Sequence, residues 1–184
     1  MAVTGIIYGL DLGVRSGIAE GCVGDPPRSY SVVLKKPVEP QGVAFSNLIA
    51  FLDERFRTAL PMLVVKEAML ALEAYRQIGN AAHVVRLHAG LHAVVEGMCG
   101  RYGVPWRDVN DGTVRKHFIG KSNMGNRKDT KAAVVARCHL LGLMPRDCMD
   151  DNRADSLAVH DWACATFGKL VSKELFMFGE TADE

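Results

Sequence analysis

The 184-residue sequence contains no Cys-x-x-Cys pair, and its five cysteines (Cys22, Cys99, Cys138, Cys148, Cys164) are an odd number. That pattern argues against a disulfide framework or a zinc ribbon and leaves reduced thiols as the expectation. No stretch approaches the roughly eighteen uninterrupted apolar residues of a spanning helix, and the first residues lack a basic segment leading into an apolar run. A soluble, intracellular protein is expected, with no membrane partner. Excess charge is missing too: 22 Lys and Arg stand against 21 Asp and Glu, so a generic, strongly basic polyanion binder is excluded. There is no internal repeat and no low-complexity linker. With 48% hydrophobic residues, the chain has enough apolar material for one compact α/β core and too little for two.

What is present is ordered. Residues 3–10 (VTGIIYGL) form a β-rich apolar run that ends on Asp11, followed by a glycine-containing turn. The segments 16–23 and 30–34, separated by Gly24-Asp25-Pro26-Pro27, read as a hairpin. Phe45, Leu48, Ile49, Leu52 and Phe56 fall at helical spacing over 43–57, and Pro61 closes that segment. A short two-sided apolar strand over 62–65 runs into Lys66 and Glu67, and Lys66 is expected to snorkel outward on the face opposite Glu67. A long helix is predicted over 80–99, ending near Gly100, then a strand over 104–109 and helices at 111–118, 129–141 and about 151–167. One domain over 1–171 is expected, with an acidic surface tail over 172–184. An antiparallel hairpin followed by β-α-β units gives a mixed sheet flanked by helices.

Three acids stand where charge is expensive: Asp11 and Glu67 at the ends of apolar strands, and Asp155 inside an Ala- and Leu-rich helix. Buried carboxylates without partners cost several kcal/mol, so such groups are paired or bind metal. If the two strands are neighbours and the helix crosses their edge, the three converge. An oxygen-only cluster selects Mg²⁺ or Mn²⁺, and can hold two ions about 4 Å apart for phosphodiester hydrolysis. Taken singly, Asp11 is about as well explained by a turn, and Asp155 is better explained by a solvated helix face. Local charge adds a second signal. Residues 107–137 hold eight Lys or Arg against Asp108, Asp111 and Asp129, a net of +5. Lys and Arg on the glycine-containing stretch 115–131 can follow a phosphate backbone without reading bases. His88, His92 and Glu96 are spaced like a metal-binding stripe, but packing in the core or at a subunit contact is the stronger reading.

The ordered combination Gly9-Leu-Asp-Leu-Gly13, Ser16-Gly-Ile-Ala19, Val64-Val-Lys-Glu67 and Asp151-Asn-Arg-Ala-Asp-Ser-Leu-Ala158 resembles the RuvC-like branch of the ribonuclease-H-like nucleases, over about residues 5–167, with some likeness to phage-type members. Gly9-x-Asp-x-Gly13 alone also suits the phosphate loop of actin-like ATPases, which need a second nucleotide-binding half not seen here. The resemblance implies a ribonuclease-H-like, mixed five-stranded sheet with helices on its faces. It also implies a Mg²⁺- or Mn²⁺-dependent endodeoxyribonuclease of DNA recombination and repair, acting in a bacterial or phage-infected cytoplasm. Such an enzyme resolves four-way (Holliday) junctions by symmetric cuts that leave 5′-phosphates, with no small-molecule cofactor. Asp11, Glu67 and Asp155 would ligate metal, the fourth position being shared between Asp151, favoured for its charge, and Asn152. Arg15, Arg115, Lys116, Lys121, Arg127, Lys128 and Lys131 would contact DNA. A homodimer would match the junction's near-two-fold symmetry, with the helix at 80–99 as its contact. The alternatives are a nuclease on other branched DNA or RNA, and a non-catalytic junction-binding module of the same fold.

Overall fold

The computed structural model describes residues 5–69 and 81–179. Five strands form one sheet in the order β3-β2-β1-β4-β5. β1 (Ile6–Asp11), β2 (Arg15–Cys22) and β3 (Arg28–Val33) are an antiparallel meander, while β4 (Leu63–Glu67) and β5 (Trp106–Val109) add in parallel beside β1. Helices α1 (Gln41–Thr58), α2 (Ala81–Tyr102), α3 (Asp111–Ile119), α4 (Arg127–Leu140) and α5 (Asp151–Gly179) cover both faces. The mixed five-stranded α/β sheet expected from the sequence is therefore the observed architecture.

The sheet separates two apolar layers because side chains alternate along each strand. Ile7, Leu63 and Val65 join Val134, Val135, Ala154, Leu157 and Ala158 under α3, α4 and α5. Tyr8, Leu10 and Val64 join Leu48, Leu52, Leu91 and Val95 under α1 and α2. Full burial of each Leu or Val contributes about 1.5–3 kcal/mol.

Element limits shift where local chemistry overrides the pattern. α2 passes through Gly100, which lies on its exposed side, and stops before Gly103, whose φ of 67° is the left-handed conformation that closes a helix. α5 runs on to Gly179 rather than ending near 167, so the expected tail begins as helix. β5 is shorter than 104–109, since Val104 instead donates its N–H to Cys99 at the end of α2. Ile49 lies on the solvent side of α1, with 42% of its surface exposed. Residues 3 and 4 of the first expected strand, residue 80 and residues 180–184 lie outside the described residues.

Candidate active site

Parallel pairing of β1 with β4 aligns Leu10 with Lys66, so Asp11 and Glu67 follow one rung later at the same edge of the sheet and on the same face. That face is covered by α5. Its approach depends on two glycines: a Cβ on Gly9 would stand 2.5 Å from the His160 backbone nitrogen, and one on Gly17 would stand 1.8 Å from the Asn152 carbonyl oxygen. Gly17 pairs across β1–β2 with Asp11, so the turn of α5 that begins at Asn152 is seated directly beside Asp11. Asp155, one turn on, is buried there with 7% of its surface exposed. Ser16, fully buried, braces the intervening turn: its hydroxyl donates to the Gly13 carbonyl (2.9 Å) and accepts from the Gly13 N–H (3.1 Å).

These acids border a cleft of about 780 Å³, which Asn152, Arg15, Arg115, Arg127 and Lys131 also line. Desolvation and then repulsion from Asp155 raise the Asp11 carboxyl to about 7. Glu67 is raised to about 8, by desolvation and then by Asp11 and Asp155. Asp155 is raised by burial, with Lys131 and Arg115 opposing. Cations answer the charge only at the edges. Lys131 ion-pairs with Asp151 and comes within 3.7 Å of Asp155. Arg115 pairs with Asp111 at 2.8 Å, and Arg15 with Asp150 at 2.7 Å.

Of the expected site residues, Asp11, Glu67, Asn152 and Asp155 line one cleft, together with Arg15, Arg115, Arg127 and Lys131. Asp151 is held by Lys131 instead of lining it, and Lys116, Lys121 and Lys128 are exposed outside it. Lys66 does occupy the face opposite Glu67, but it does not snorkel: its side chain is fully buried between His92, Glu96 and Asp108. Having fixed acceptors on three sides, the ammonium needs no path to water. Asn110 and Asn126 also line the cleft and were missed, although each carries a helix-start signal; they cap α3 and α4 through side-chain bonds to Gly112 and Asp129. His88 and His92 form part of the wall.

Among the described residues, no group of three or more His, Cys, Asp or Glu side chains stands at spacing to hold an ion in the present geometry. The acids converge on an open cleft and do not form a closed cage. Their donor chemistry fits a hard divalent cation: the donors are oxygen only, their negative charge is incompletely compensated, and there is room for waters and substrate oxygens, which Mg²⁺ characteristically retains.

The same architecture recurs in solved structures. Thermus thermophilus RuvC in complex with Holliday junction substrate superposes with a TM-score of 0.66 at 16% identity, covering 90% of this chain and 96% of that one. The fold is that of the RuvC-like resolvases. A second Thermus thermophilus RuvC structure gives 0.63 at 21% identity with the same coverage, and the yeast mitochondrial Holliday junction resolvase Ydc2 gives 0.61 at 10% identity over 96% of this chain and 84% of that one. No family model matches the sequence, and no curated protein matches it either. The RuvC-like fold is thus carried here by a sequence with only 10–21% identity to these three structures. Among the described residues, no helix is long and apolar enough to cross a membrane.

Proposed function

We propose that this chain is a divalent-metal-dependent endonuclease that resolves four-way DNA junctions by hydrolysing phosphodiester bonds symmetrically. The observation that carries the reading is the meeting of Asp11, Glu67 and Asp155, from two strand ends and a helix, in one cleft rimmed by Arg15, Arg115, Arg127 and Lys131. Asp11, Glu67 and Asp155 would hold Mg²⁺ or Mn²⁺, with Asn152 as a neutral fourth donor. A divalent ion held there would supply an activated water and stabilise charge developing on the phosphate and the leaving oxygen. Arg15, Arg115 and Arg127 bind the phosphates flanking the scissile bond, and Lys131 keeps Asp151 and Asp155 oriented. The two-fold symmetry of a junction calls for two copies, each meeting one strand. An exposed strip of small residues on α2 (Ala89, Ala93, Gly97, Gly100) suits close packing of a second helix.

A synthetic mobile junction incubated with Mg²⁺ or Mn²⁺ tests this. Symmetric nicks should appear with the wild type and be abolished in Asp11→Asn, Glu67→Gln and Asp155→Asn. Equal nicking by all four proteins would overturn the proposal. A second reading, a module that grips junctions without cutting them, is favoured by the neutral Asn152 where the cleft could take another carboxylate. It predicts tight binding, no metal-dependent nicks and no effect of Glu67→Gln.

A further inference from the structure

On the face of β4 opposite Glu67, the Lys66 ammonium sits fully buried. Its nitrogen is 2.9 Å from Nδ1 of His92 and 3.1 Å from a carboxylate oxygen of Glu96, contacts the Asp108 carboxylate, and lies 4.7 Å from the centre of the Trp106 ring. An ammonium has three N–H donors and no acceptor, and three acceptors surround this one. Toward His92, Lys66 can therefore only donate, so Nδ1 carries the lone pair and the ring proton resides on Nε2. Burial, followed by the adjacent ammonium, also lowers the His92 pKa to about 4, which keeps the ring neutral.

His92 also borders the cleft that holds the three acids. Lys66 engages the ring through Nδ1, so Nε2 is the nitrogen through which His92 can meet a ligand in that cleft. His92 of α2 lines this cleft together with Asn152 and Asp155 of α5.

We propose that Lys66 is a positioning residue that locks His92 in its Nε2–H tautomer, making His92 a hydrogen-bond donor to a backbone phosphate of the strand bound in the cleft. The inference rests on the nucleic-acid reading above for its ligand, but the tautomer can be tested without any ligand. A neutral imidazole suits this place: it contacts a phosphate oxygen without adding a cation that would compete with a metal for the carboxylates.

The first measurement is a long-range ¹⁵N–¹H correlation spectrum of the wild-type protein. His92 should show a protonated Nε2 and an unprotonated Nδ1, and the reverse pattern would overturn the proposal. In Lys66→Met the preference for this tautomer should be lost, while Lys66→Arg, which keeps a donor, should retain it. The second measurement is equilibrium binding of a four-way junction with Ca²⁺ replacing Mg²⁺. Loss of one hydrogen bond to a charged acceptor predicts about tenfold weaker binding for His92→Ala. His92→Gln should restore binding, because its amide offers an oxygen to Lys66 and an N–H to the cleft. Lys66→Met combined with His92→Ala should bind no worse than the weaker single variant. Wild-type affinity in His92→Ala would sink the phosphate contact while leaving the nuclease reading intact. Failure of the wild type to bind any branched DNA would remove that reading, and with it this ligand.

Discussion

Asp11 and Glu67 stand at the ends of adjacent strands with too little positive charge nearby, and each holds its proton more tightly in the folded state than in the unfolded chain. The folded protein therefore binds more protons than the unfolded one between the ordinary carboxylate range and about 7 to 8. The stability these groups contribute is complete at low pH and is lost as pH rises through that window. In chelator-treated protein, Asp11→Asn should melt at a higher temperature than the wild type at about pH 9, and the difference should shrink toward about pH 4. Calorimetry across that range checks it, and a constant difference would contradict the burial and repulsion described here. The three acids were legible in the sequence as an ordered set at two strand ends and in an apolar helix, whereas Asp11 and Asp155 taken singly each have an ordinary structural explanation. Lys66 was legible only in part. Alternation placed it on the correct face, but its partners Glu96 and Asp108 come from α2 and β5, and no pattern local to β4 reports them.

At the scale of elements, the decisive contact is α5 against β1 and β2. The glycines at 9 and 17 could be read as turn or strand residues, but their task, admitting a helix backbone, depends on a partner more than a hundred residues away in the chain. Gly17→Ala forces the Asn152 turn outward. Overpacking of this kind costs about 1–3 kcal/mol, so a fall in Tm of about 3–10 °C is expected. The proposed Mg²⁺ binding should weaken with it, measured by titration calorimetry. Gly42→Ala, which meets nothing within 4 Å, is the control and should leave both unchanged. The helices themselves were legible from their spacing, whereas their ends were not. Gly100 resembles a stop signal and is tolerated because it faces solvent, and α5 continues because nothing in 168–179 breaks a helix as proline would.

For the whole molecule, a net charge of +1 conceals a basic rim around an acidic floor. Every side chain that pairs with a phosphate should steepen the dependence of log K on log salt by about 0.9. Arg127→Ala with Lys128→Ala, measured by fluorescence anisotropy over a salt series, should therefore flatten it by about 1 to 2 if one or both residues pair with phosphate. An unchanged slope would remove these two from the binding surface. The proposed pairing of two copies through the small-residue strip of α2 predicts a dimer in sedimentation that Ala93→Arg converts to a monomer while leaving the fold intact. The fold class was open to sequence reading because the succession of strands and helices along the chain is written in local patterns, although the pairing of β1 with β4 is not. Subunit arrangement and branch preference depend on surfaces that only assembly defines.

Neighbouring residues of β4 serve opposite sides of the sheet, Lys66 behind it and Glu67 in the cleft. This makes the strand intolerant of changes in length. Deleting or inserting one residue ahead of position 66 would reverse the faces of the two, turning a carboxylate toward Glu96 and Asp108 and an ammonium toward the cleft. Substitutions there can be graded in effect, but a frame of one residue cannot. Among libraries of length variants, the exposed turn between β2 and β3 should accept changes freely, while β4 should return only its present length.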